Sequence, residues 1–139
     1  MKLITPNLLK FSAFSLLLTA LFKWRLNEAI ENKIVVAIVL SSVVYALLLL
    51  ASALYFARKD KEHLPIFDIG FRFHLAIYTT YHLIASIWIY LDLEAPNTST
   101  SIPKYVALGW LILICIHFIF LQILKKRSIS NLNKKDIFE

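Results

Sequence analysis

Between Ile34 and Ala57 the chain runs IVVAIVLSSVVYALLLLASALYFA, 24 residues without one charged side chain. A helix needs roughly 20 predominantly apolar residues to cross a hydrocarbon core about 30 Å thick, so this run is read as a membrane span. The remainder of the chain is consistent with that solvent: 59% of the 139 residues are hydrophobic, with 2 glycines and 4 prolines, which is too apolar for a water-soluble domain of this size.

Two further segments are expected to span. Ile69 to Leu91 is apolar apart from Arg72, His74 and His82, and Tyr105 to Leu124 apart from His117 and Gln122. The N-terminal run is shorter: Phe11 to Phe22 lies between Lys10 and Lys23, and its 12 residues make about 18 Å of helix. No small-x-small cleavage site follows it. Lys10 and Lys23 can snorkel toward the two interfaces. Pro6 to about Trp24 is therefore read as a retained first span, with Pro6 at a tolerated first-turn position and Asn27 to Lys33 as its frayed outer end.

The expected fold is an all-α integral membrane protein, with four transmembrane helices forming two antiparallel hairpins. Residues 1–60 form the first hairpin. Residues 61–139 form the second with a basic tail, the charged ARKDKEHLP stretch dividing the two. With both termini in the cytoplasm, 11 of the 15 Lys and Arg fall inside, as the positive-inside rule requires. Trp24, Trp88, Tyr90 and Tyr105 then form an outer aromatic belt. The net charge of +6 is explained by this topology. Arg72, Lys125, Lys126 and Arg127 are expected to contact anionic lipid headgroups, and nucleic acid is not expected as a partner. The NTS at residues 97–99 matches a glycosylation acceptor only in a eukaryotic secretory membrane.

Around the third span, His74, Tyr78, Tyr81, Ala85 and Trp88 fall near one line, with His82 about 80° from His74. On the fourth span Trp110, Leu113, His117 and Leu121 make the matching stripe, and the two are expected to press together. In the first hairpin Ser12, Ser15 and Thr19 share a face, as do Ala37, Ser41, Tyr45 and Ser52 in the next span. Such small and hydroxylated stripes serve close helix packing, or alternatively line a narrow water path.

The stretch GFRFHLAIYTTYHLIASIWIY, followed by a polar loop and ALGWLILICIHF, resembles the bacterial two-transmembrane ("2TM") domain family. The matching positions are His74, Leu75, Ala76 and Tyr78, then Gly109, Trp110 and His117, over about residues 70–124. Leu111 stands where the family usually has glycine. The resemblance implies a membrane module, sometimes beside signalling domains, in a bacterial cytoplasmic (inner) membrane, and it adds weight to His74 and His117.

Three readings of the histidines follow. Intramembrane ionisable groups are functional candidates. A neutral imidazole can also act as interhelical glue, and His74 with His117 could ligate haem b or a metal ion. Tyr78, Tyr81, Gly109 and Trp110 are expected at the helix-pair contact, and Cys115 as a small packing residue. Neither a nucleophile elbow, a phosphate loop, an H-E-x-x-H motif nor an intramembrane carboxylate is present, and Asp60, Glu62, His63 and Asp68 read as a solvated linker, with Asp68 also placed four residues before Arg72 on the same face, where the two can pair. The expected role is a non-enzymatic sensing, partner-binding or regulatory module, working with a membrane protein partner or as a homo-oligomer. A haem- or metal-binding electron-transfer subunit and a pore-forming or membrane-perturbing effector are the alternatives.

Overall fold

Four helices make up most of the chain in a computed structural model, which describes residues 4–60, 66–95 and 101–135. In chain order they are α1 (Pro6–Glu31), α2 (Val35–Asp60), α3 (Ile66–Tyr90) and α4 (Ser101–Lys135). The loop residues Glu62 and His63 and the NTS site lie outside the described residues.

Thr5 starts α1: its side chain accepts from the Leu8 N–H, and Pro6 takes the first turn, where a missing N–H removes nothing. The helix does not fray after Trp24. It continues 26 residues to Glu31 and closes in a Schellman turn, with Lys33 N–H on the Ile30 carbonyl and Ile34 N–H on that of Ala29. α3 ends identically, Asp92 N–H bonding the Ile89 carbonyl and Leu93 N–H that of Trp88. The left-handed position of each turn, normally glycine, is held by Lys33 (φ 54°) and Asp92 (φ 53°).

α1 packs against both α2 and α3, α3 also against α4 and along part of α2, while α4 touches α3 alone among the described residues. The hub of the core is Phe11, fully buried, with its ring 4.8 Å from Phe73 and 6.2 Å from Phe56. Below it α1 buries a row spaced by four: Ser15, Thr19, Lys23 and Asn27. Ser15 bonds Thr80 of α3 at 2.9 Å, and Thr19 bonds Tyr45 of α2 at 3.0 Å. Ser41 and Ser52 return their hydroxyls to their own helix, so Tyr45 is the member of the α2 stripe that crosses to α1.

Of these helices, Val35–Asp60 and the Lys104–Lys126 stretch of α4 are long and apolar enough to cross a membrane. α1 and α3 fall short of that criterion, because they carry the polar groups that the packing uses. A double-mutant cycle on Ser15→Ala and Thr80→Ala in detergent should give a coupling of about 0.6 kcal/mol, up to about 1.7. Strictly additive melting would mean that the two hydroxyls do not hold α1 to α3.

Candidate functional site

Along the α3–α4 seam the aromatic and histidine stripes meet. The His74 and His117 Nδ1 atoms stand 3.4 Å apart, with rings perpendicular and centroids 5.5 Å apart. At that distance the bond is long. It requires opposite tautomers, one ring donating from Nδ1 while the other accepts there. Phe71 packs edge-on to His117 at 5.7 Å. Two turns further out on α4, Trp110 receives Tyr81 at 5.7 Å, His82 at 6.0 Å and Tyr78 at 6.2 Å. His82, which angular position set apart from His74, belongs to this aromatic cluster, and its Nε2 is buried without a hydrogen-bond partner among the described residues.

Three expectations for α4 need correction. Gly109 is exposed, and a Cβ there would meet nothing within 4 Å, so it is not a close-packing glycine; a Cβ on Gly70 would lie 3.9 Å from His117. Leu113 is turned outward and Ile114 is buried in its place, because the seam on α4 runs Trp110, Ile114, His117, Leu121 with alternating steps of four and three. Cys115 is exposed and packs no core.

At the inner end of the seam, Asp68 is buried and gathers two cations: Arg72 at 2.8 Å, one turn along α3, and Lys125 of α4 at 3.3 Å. Arg72 is only 13% exposed and Lys125 38%, so neither extends freely toward headgroups, as the snorkelling expectation had it. Lys126 is exposed, and the Arg127 side chain lies outside the described residues. Asp68 is therefore a clamp between α3 and α4 and not part of a solvated linker. Asp60 is equally buried, taking hydrogen bonds from Thr5 at 2.6 Å and Asn7 at 2.8 Å.

At the opposite end Lys23 does not snorkel outward either. It is buried in an ion pair with Glu94 at 2.5 Å, and Asn27 donates to the Leu93 carbonyl. The signal in the sequence that could have paired them is position: each lies at the end of its hydrophobic block away from the basic tail.

Between α1, α3 and α4 a groove of about 700 Å³ opens. It begins at Asp68, Arg72 and Lys125 and continues along Leu8, Ala76, Thr79 and Leu83. No family model, curated protein or solved structure matches the chain. Among the described residues no three His, Cys, Asp or Glu side chains group as a metal site.

The clamp sets an order of sensitivity. Asp68→Asn leaves two cations facing each other and should cost about 3 kcal/mol. Lys125→Gln, removing a half-exposed partner, should cost under about 1 kcal/mol, with Arg72→Gln between them. Unfolding midpoints in detergent would show this order, and a Lys125 variant as damaging as Asp68→Asn would contradict it.

Proposed function

We propose that this protein spans a bacterial cytoplasmic membrane four times, as two antiparallel hairpins with both termini inside. In this reading it is a non-enzymatic module that binds at the membrane and conveys its bound state to a partner. The observation that carries the membrane reading is the spacing of the polar clamps on α1. Asn7 bonds Asp60 at one end and Asn27 bonds Leu93 at the other. The 20 positions between them correspond to about 30 Å of helix, the thickness of a hydrocarbon core. Between the clamps α1 bonds its neighbours through two hydroxyls, Ser15 to Thr80 and Thr19 to Tyr45, and, one turn inside Asn27, through the Lys23–Glu94 ion pair. Outward, α2 and α4 present Val39, Leu47, Leu54, Ile112, Ile116 and Phe120, each more than half exposed. Such a face suits acyl chains, not water. Trp24, Tyr90 and Tyr105 are exposed at the end away from the basic tail, where an outer aromatic belt would sit.

As a module for conveying a bound state, the chain offers α4, which leans on α3 alone. It continues to Lys135, past the apolar stretch that ends near Lys126.

A second reading comes from the 3.4 Å between the His74 and His117 nitrogens. Two imidazole nitrogens on one tetrahedral ion, at bond lengths of about 2.0–2.1 Å, stand about 3.3 Å apart. Haem fits less well, because axial nitrogens on opposite sides of one iron stand roughly 4 Å apart with a macrocycle between them.

Topology is testable in a Cys115→Ala background. Asn97→Cys should react with a membrane-impermeant maleimide from outside, and Asn131→Cys only after the membrane is opened. The reverse pattern would invert the orientation. The histidines separate the two readings through polarity. If they are glue, His74→Gln and His117→Gln should melt near the parent, while the leucine variants should lose about 1–3 kcal/mol by orphaning the remaining ring. The double leucine variant should then cost less than the sum of its singles. If they are ligands, glutamine and leucine should be equally damaging and purified protein should lose bound metal in both.

A further inference from the structure

The described residues give neither His74 nor His117 a hydrogen bond besides the one they share, and at 3.4 Å that bond is long. His74 is nevertheless exposed and His117 only partly buried. The pair lies six positions along α3 from Asp68 and eight along α4 from Lys125, about 9 and 12 Å into the span. At that depth a polar ring turned toward acyl chains is costly. A cover more polar than lipid is called for.

The chemistry of the pair names that cover. Both rings turn Nδ1 inward, since their centroids, at 5.5 Å, stand further apart than the nitrogens. Two neutral nitrogens at this spacing make half of a tetrahedral coordination shell. Imidazole suits zinc, copper and nickel, whereas magnesium and calcium take oxygen. Among the described residues no three His, Cys, Asp or Glu side chains group as a metal site, so the fold brings only two ligands together.

The edge of the seam that carries the pair is open to an approaching helix. Gly70, one turn before His74, is exposed, and α4 leans on α3 alone among the described residues. Leu113 and Phe120, about 40° and 60° from His117 around α4, are each more than half exposed. We propose that a second copy of this chain completes the shell. A two-fold axis along the membrane normal keeps both copies in one orientation and brings His74 and His117 of each to a single divalent transition-metal ion. Four imidazoles are neutral and leave the ion its charge, which suits a site short of the bilayer centre, where charge is most costly.

The shared site rests on the metal reading of the two histidines given above, and stoichiometry separates the two. Native mass spectrometry of the full chain in detergent with added zinc should show two chains carrying one zinc, and EDTA should return single chains. His74→Gln and His117→Gln should each lose both the zinc and the dimer while melting in EDTA as the parent does, which separates a lost ligand from a lost fold. Cobalt in place of zinc should give the strong visible absorption of a tetrahedral site. In a Cys115→Ala background, a short bis-maleimide should join two copies of Leu113→Cys when zinc is present and not in EDTA. Thr79→Cys, on the other edge of the seam, should be joined in neither.

One zinc per chain at monomer mass, or the weak absorption of octahedral cobalt, would keep the metal reading and overturn the second copy. A dimer that EDTA leaves intact, or cross-linking through Thr79→Cys in place of Leu113→Cys, would overturn the shared site as well. A parent protein that binds no zinc would overturn both readings and leave the histidines as interhelical glue.

Discussion

A row of polar side chains buried along an otherwise apolar helix holds this structure in register. Ser15, Thr19, Lys23 and Asn27 follow Phe11 at intervals of four on α1. Their partners lie on different neighbours: Thr80 on α3, Tyr45 on α2, and Glu94 and the Leu93 carbonyl just beyond α3. Individually these bonds are modest, the hydroxyl pairs at about 0.6 kcal/mol in membrane proteins, and a buried ion pair is weak support for stability in itself. Together they define one alignment. Sliding α1 by a residue against its neighbours would break all of them at once, and a broken polar pair in apolar surroundings has no water to turn to.

That arrangement inverts the usual relation between apolarity and the core. α1 and α3, which fall short of the membrane-span criterion, are innermost, and α2 and the Lys104–Lys126 stretch of α4, which meet it, flank them. In water the reverse would hold, since burial rewards apolar surface. In lipid there is no such drive between helices, so polar groups and small residues gather where helices meet and large aliphatic side chains face out. Leu49 is the sole hydrophobic residue buried on α2, whereas Val35, Val36, Leu40, Leu47 and Leu50 are each more than half exposed.

This inversion explains what could be read from the sequence. The four helices were visible as hydrophobic blocks, and the meeting of His74 with His117 and of Tyr78 and Tyr81 with Trp110 followed from angular position alone, because a helix fixes 100° per residue whatever surrounds it. The ends were not visible. Lys33 and Asp92 occupy left-handed positions without the glycine that would announce them, so α1 seemed to fray where it closes. The i,i+4 spacing marks Asp68 and Arg72 as a pair, but the cross-helix partners were hidden for a different reason. Lys23, Asp60 and Asp68 sit at boundaries where a charge ordinarily belongs to the interface, and only the packing of a second element brings Glu94, Thr5 and Lys125 to them. Gly109 misled similarly, since a glycine on a membrane helix suggests close approach, yet this one faces open space.

The seam between α3 and α4 is loaded from both edges. Thr79, on the groove wall, and His74, in the histidine pair, point about 140° apart around α3, so the groove opens on one side of the contact and the imidazoles close the other. α4 has no second helix to lean on among the described residues, and its angle to α3 is therefore set by this single seam: the Trp110 aromatic cluster outermost, His117 midway, and Lys125 on Asp68 innermost. A molecule in the groove shifts that angle only insofar as it touches α1 and α4 better at one angle than at another. Helix length then amplifies the difference. Trp110 and Lys135 are 25 positions apart on α4, about 37 Å of helix, so a tilt of about 10° at the aromatic cluster displaces the basic end by roughly 6 Å.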